Sequence, residues 1–253
     1  MLNDWLPLLV LIATLPPLYL MQRWINRHLQ GLGLLLTGDS DSATMIYFLA
    51  LLPGIVLHEL SHWVVAILLR VPVGKLSLWP KKKRRGQVRL GSVSVGVSDP
   101  LRASLIGVAP LVMGSLVILA VGQLVLGVSD LGRLLLHGTW ADLWGELVAY
   151  WRVPDFLLWL YLIFAIANAM LPSESDRAAW PMMGLFLAGV TAVFVLVGGL
   201  SLVTARVKVT FLAVAGYLAY AFGLAAVVDA LFMILIAVVE ETAGRVLGQR
   251  VEY

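Results

Sequence analysis

Residues 53–70 read PGIVLHELSHWVVAILLR, an apolar run with two histidines and a glutamate at its centre. An ionisable group inside such a run costs several kcal/mol in lipid, so it marks function there. On a helix, residues four apart share a face, and His58 and His62 can reach one metal ion with both imidazoles. Glu59 lies about 100° round from His58, close enough to touch a metal-bound water but poorly placed as a ligand. This is the HExxH pattern. Zinc lowers the pKa of a bound water to about 7, and a glutamate can take its proton as the water attacks a carbonyl. Four residues back from His58 is Gly54, and four on from His62 is Ala66. Both are small, which predicts room on that face for metal, water and substrate. Pro53 removes a backbone hydrogen bond and predicts a kink just before the site.

The rest of the chain has the same solvent. Of its 253 residues 60 % are hydrophobic, against about 45–50 % in a soluble domain, so a bilayer must cover part of the surface. The mean hydropathy is +0.93. Lys81, Lys82, Lys83, Arg84 and Arg85 form one basic run, flanked by Lys75 and Arg89. Placed just after a membrane run, it predicts an anchor near anionic headgroups and not a nucleic-acid partner. The chain has no cysteine, which excludes disulfides and any thiolate zinc site.

Apolar runs long enough to cross a bilayer fall at about 5–21, 44–70, 101–128, 154–172, 180–200 and 210–239. They predict an all-α polytopic membrane protein of about six transmembrane helices. Residues 5–21 lack a charged leader and a small-residue cleavage pattern, so they read as a first span, interrupted at Pro16–Pro17. Residues 22–43 read as an amphipathic piece along the interface. Residues 71–100 alternate with period two through Val88, Leu90, Val93, Val95 and Val97, which predicts a small β-hairpin at the membrane surface after the second span. Residues 129–153 are amphipathic and Trp-rich and predict a helix lying on the membrane. The expected organisation is an N-terminal span and interfacial segment at 1–43, a core at 44–180, and two further spans with a short tail at 181–253. With the basic loop in the cytoplasm and six spans, both termini are expected there too, in a multi-pass protein of a prokaryotic plasma membrane.

Two histidines leave a catalytic zinc one protein ligand short. The acidic candidates near a membrane face are Asp176, Glu174, Asp229, Glu240 and Glu241. Asp229 lies inside the sixth run and needs a partner there. Asp176 follows Pro172 in the polar stretch PSESDR, at a depth the two histidines can share.

An HExxH in one span, followed by a later span ending in an Asn…Pro…Asp segment, resembles the site-2 protease family of intramembrane zinc metalloproteases. That family spaces an Asn and an Asp eight apart around a proline, as N-x-x-P-x-x-x-x-D-G. Asn168 and Asp176 keep the spacing, while the proline is displaced by one to Pro172 and Arg177 replaces the glycine. The family's Gly-Pro-x-x-Asn pattern is matched in part by Ala109-Pro110, with Met113 where the Asn would stand. The resemblance covers about 44–180. It implies one zinc ion held by His58, His62 and Asp176, with Glu59 as general base. It implies that Asn168 holds the substrate or the developing oxyanion, and that a β-hairpin lies beside the active site. The implied activity is hydrolysis of peptide bonds in or near transmembrane segments of partner proteins. A strand at GSVSVGV is placed to receive an unwound substrate by strand addition. Two readings from other classes stand beside it: a metal-binding membrane scaffold or regulator without proteolysis, and a metal transporter.

Overall fold

The computed structural model describes all residues except 1–4, 83–87, 90, 128–138, 140, 142–144, 146–147, 197–204, 250 and 252–253. The chain opens with α1 (Leu6–Thr37), a single helix of 32 residues. Pro16 and Pro17 do not break it; prolines are tolerated in membrane helices where local adjustments re-satisfy the freed carbonyls. The helix stops at Gly38, whose φ of 68° gives the left-handed turn and whose N–H caps Leu34 O. Asp39 then caps α2 (Ser40–Ala50) by accepting from the Ser42 N–H at 2.8 Å.

The second apolar run is not one rod. α2 and α3 (Leu52–Leu68) meet at Leu51 with a bend of 73°. Pro53 sits in the first turn of α3, where its missing N–H costs nothing; a continuous helix would need that N–H for the Leu49 carbonyl, so the expected kink is present as this bend. After α3 come β1 (Val73–Ser77), β2 (Lys81–Lys82), β3 (Val88–Arg89) and β4 (Ser92–Val95). β1 pairs antiparallel with β4, with Val73 opposite Val95 and Ser77 opposite Ser92, and β2 with β3. The expected hairpin is thus present as two short ladders.

α4 (Pro100–Ala120) is capped by Asp99 and runs on into a π-helical turn, Val121–Val125. α5 (Phe156–Met170) ends before Pro172, α6 covers Trp180–Leu196, and α7 covers Ala205–Leu247. The expected surface helix at 129–153 falls for the most part outside the described residues.

Among the described residues, three helices are long and apolar enough to cross a membrane: α1, Pro100–Val125 and Val207–Leu247. The bent α2–α3 pair makes a fourth if counted as one span. α5, with 15 residues, is about 22 Å long and falls short of a core of about 30 Å. Of the six spans expected from hydropathy, three or four are thus present among the described residues; α5 is short, and the run at 180–200 continues past the described part of α6. Leu20, Leu157, Leu185, Val227 and Leu231 stay more than half exposed, as lipid-facing side chains do.

α1 and α7 form the largest helix–helix interface and run parallel. Lys208 lies over the Trp5 ring at the start, and His28 meets Glu240 near the end. The start of α1 and the end of α7 are then at opposite ends of the pair. Residues 22–37 belong to this interface, with Ile25 and Leu29 buried, and are not a separate surface segment. The core joins Leu18 and Ile25 of α1 to Phe48 of α2, Ile118 of α4, Ile163 of α5 and Phe222 of α7.

Candidate metal centre

Both histidines of α3 point their Nε2 atoms at one place. His58 Nε2 and His62 Nε2 are 3.1 Å apart. Asp176 brings Oδ2 to 3.6 Å from His58 Nε2 and Oδ1 to 3.3 Å from His62 Nε2. Among the described residues these are the His, Asp and Glu side chains grouped closely enough to hold a metal, all within 4.8 Å of one another.

The protonation of the rings follows from their other nitrogens. His58 Nδ1 lies 2.7 Å from the Ala169 carbonyl, and His62 Nδ1 lies 2.8 Å from the Ile106 carbonyl. A carbonyl only accepts, so each Nδ1 carries the hydrogen, and in the neutral ring each Nε2 holds a lone pair. Two lone pairs and a carboxylate then face one point, an arrangement that repels unless a metal ion or a proton sits between them. The spacing also fits. Bonds of 2.0–2.1 Å at tetrahedral angles separate ligand atoms by about 3.3–3.4 Å, and the three distances here bracket that value. The donor set, two imidazoles and a carboxylate, suits zinc.

Local chemistry frees both orienting carbonyls. Ile106 is in α4, and the helical partner of its carbonyl would be the N–H of residue 110, which is Pro110. Proline lacks that hydrogen, so the carbonyl is left for His62. Ala169 is in the last turn of α5, where carbonyls have no intrahelical donor. His58 takes that one. Such outer partners fix a ligating histidine's tautomer and ring angle.

The Asp176 turn is a capping box made from Ser-x-x-Asp. The Ser173 N–H donates to Asp176 Oδ2 at 2.8 Å, and the Asp176 N–H donates to Ser173 Oγ at 3.4 Å. The turn lies against α4 at Gly107, where a Cβ would come within 2.1 Å of the Asp176 carbonyl. Only glycine admits this approach. Burial by itself would raise the Asp176 carboxyl; in the metal-free chain, protons on the Nε2 side of the His58 and His62 rings, with the Ser173 N–H, outweigh this and hold it well below the usual carboxylate range.

Glu59 is buried in the same cavity, about 1220 Å³ in volume, which His58, His62 and Asp176 also line. Gly91 covers it: a Cβ there would lie 2.7 Å from Glu59 Cγ and Oε1. Gly91, Val93 and Val95 line the cavity wall, and among the described residues β4 pairs with a strand only on its β1 side.

Other expected residues take different places. Gly54 does not leave room for substrate; a Cβ there would lie 1.9 Å from the Ala165 carbonyl, so it lets α3 and α5 touch. Ala66 is fully buried and packs with Val71 and Ile106. Asp229 lies apart from the histidines, paired with Asn168 at 2.7 Å. Asn168 lines the cavity, yet its two amide hydrogens go to Phe164 O and Asp229 Oδ1, which leaves no N–H for an oxyanion. Comparison with protein families, with characterised proteins and with solved structures finds no match to this chain.

Proposed function

We propose that this chain is an intramembrane zinc metalloprotease that cuts peptide bonds in or near transmembrane segments of partner proteins. The observation that carries the reading is the convergence of His58, His62 and Asp176 on one point, with Glu59 in the same cavity. Zinc, when bound, supplies Lewis acidity toward water and toward a peptide carbonyl. His58, His62 and Asp176 hold it, and the Ala169 and Ile106 carbonyls keep the rings aimed. Glu59 takes a proton from the attacking water and passes it to the leaving amine. The protein wall around Glu59 limits water to what the cavity admits. A substrate helix has its carbonyls already hydrogen-bonded and must unwind to be cut. β4, whose Val93 and Val95 line the cavity, offers such a stretch backbone partners by strand addition.

Glu59→Gln tests the assignment in purified protein reconstituted with a membrane-embedded substrate. The variant is expected to keep stoichiometric zinc while cleavage falls by about 10²–10⁴-fold, the range for loss of a general base. Cleavage at the wild-type rate overturns the role of Glu59. One observation favours a second reading, a metal-holding membrane regulator without proteolysis: Glu59 is only 7 % exposed, with Gly91 seated on it. Zinc bound by wild type with no cleavage of any membrane-embedded substrate selects that reading.

A further inference from the structure

Asp229 is the most deeply buried ionisable group of the described residues, with no exposure to solvent, and it ligates nothing at the metal centre. Among the described residues its hydrogen bond comes from Asn168, itself 4 % exposed. Asp229 Oδ2 and Asn168 Oδ1 are buried without a partner. An ionised carboxylate served by a single donor in such a place is severely under-solvated. A proton on Oδ2 resolves both orphans, because acid and amide then each offer one donor and one acceptor to the other.

The pair is tied to the metal centre through one turn of backbone. The Asn168 carbonyl accepts from Gln22 Nε2 of α1 at 2.8 Å, and its side chain is held by Asp229 of α7. The next residue is Ala169, whose carbonyl takes the His58 Nδ1–H at 2.7 Å. α3 presses on the same turn, since Gly54 meets Ala165 and Ala169 at van der Waals limits. Two helices thus fix Asn168, a third presses on the same turn, and the next residue aims a ligand.

We propose that Asp229 is a positioning residue for the metal centre: from α7 it clamps Asn168, and so holds the Ala169 carbonyl that orients His58. The proposal rests on reading His58, His62 and Asp176 as a zinc site. It assigns to the C-terminal helix, which lies outside the metal-binding core, a part in building that site.

The test uses the full chain in detergent or nanodiscs, with zinc affinity measured by chelator competition and ligand geometry by the visible spectrum of the Co²⁺ form. Asp229→Ala is expected to weaken zinc about 10-fold, within the 10–100-fold range for outer partners of metal ligands, and to shift the cobalt bands. Asp229→Asn keeps one donor and one acceptor and is expected to restore both readouts. Gln22→Leu is expected to move them the same way as Asp229→Ala, by less. Wild-type affinity and spectrum in Asp229→Ala overturn the proposal, as does an Asn variant no better than Ala. If the Ala variant does not fold, Gln22→Leu decides: a shifted cobalt spectrum supports the clamp, and an unshifted one overturns it. A wild type that binds no zinc removes the metal-site reading itself, a failure distinct from that of the clamp.

Discussion

Two clusters of this chain join histidine to a carboxylate between helices, and they differ in what is left over. His28 and Glu240 meet at 2.7 Å, with Trp24 stacked on the His28 ring at 3.8 Å. Each supplies what the other lacks, so the pair serves as a tie between α1 and α7. His58, His62 and Asp176 stand only slightly further apart, but their Nδ1 hydrogens are already spent on backbone carbonyls. What remains is acceptor facing acceptor. A metal site is recognised by that surplus of lone pairs and not by the number of polar side chains.

The comparison breaks most visibly at Asp176. A four-ligand structural zinc set is worth about 10–16 kcal/mol, so one ligand carries on the order of 3 kcal/mol, roughly a hundredfold in affinity. Asp176→Ala is therefore expected to yield substoichiometric zinc on purification, read by elemental analysis. Full occupancy in that variant would remove Asp176 from the ligand set. Pro110→Ala acts one step out. It restores an N–H that competes with His62 for the Ile106 carbonyl, and zinc affinity is expected to drop about 10-fold. An unchanged affinity would mean that the carbonyl serves both donors without loss.

Those two residues also mark where the sequence stops being legible. HExxH is read directly, because spacing on one helix is a local fact. Asp176 stands 114 positions after His62, and residue chemistry alone left it among five acidic candidates; the resemblance singled it out. The orienting groups are backbone carbonyls, which leave no side-chain signature. Pro110 was the visible trace of one of them, and its meaning depended on which residue packs four positions upstream. α1 was misjudged for a related reason. Gln22, Asn26 and Gln30 look like an interfacial face, but their spacing of four puts them on one stripe toward buried partners. Gln22 donates to Asn168 O, Asn26 accepts from Tyr47 Oη at 3.0 Å, and Gln30 lines the cavity. Hydropathy counted runs and could not see the shortness of α5, while Pro53 marked the bend that divides the second run.

Acid separates the clusters in a third way. The Asp176 carboxyl is held below its ordinary range in the folded chain, so its contribution to stability is present above the unfolded value of about 3.9 and is lost as pH falls through the folded one. In the metal-free protein a proton on the paired rings replaces the metal, and with it this contribution is expected to be kept down to about pH 4. Asp176→Asn lacks it, so its thermal stability in detergent is expected to be lower than wild type at pH 7 and to converge with it in strong acid. A gap that widens as the pH falls would reverse the sign argued here.

The smallest effect is the most informative about how the two regions are coupled. His28→Ala cuts one tie between α1 and α7 and is expected to cost about 1 kcal/mol, a fall of roughly 2–4 °C in melting temperature for a chain of this size. Zinc affinity should stay at the wild-type value, because the His28–Glu240 bond, with Trp24 stacked on the ring, joins α1 to α7 and not to α5. Asp229→Ala removes a contact of the same helix α7, yet it is expected to move the metal. If His28→Ala also weakened zinc, the α1–α7 interface as a whole would be holding the site, and the specific route through Asn168 and Ala169 would give way to general packing.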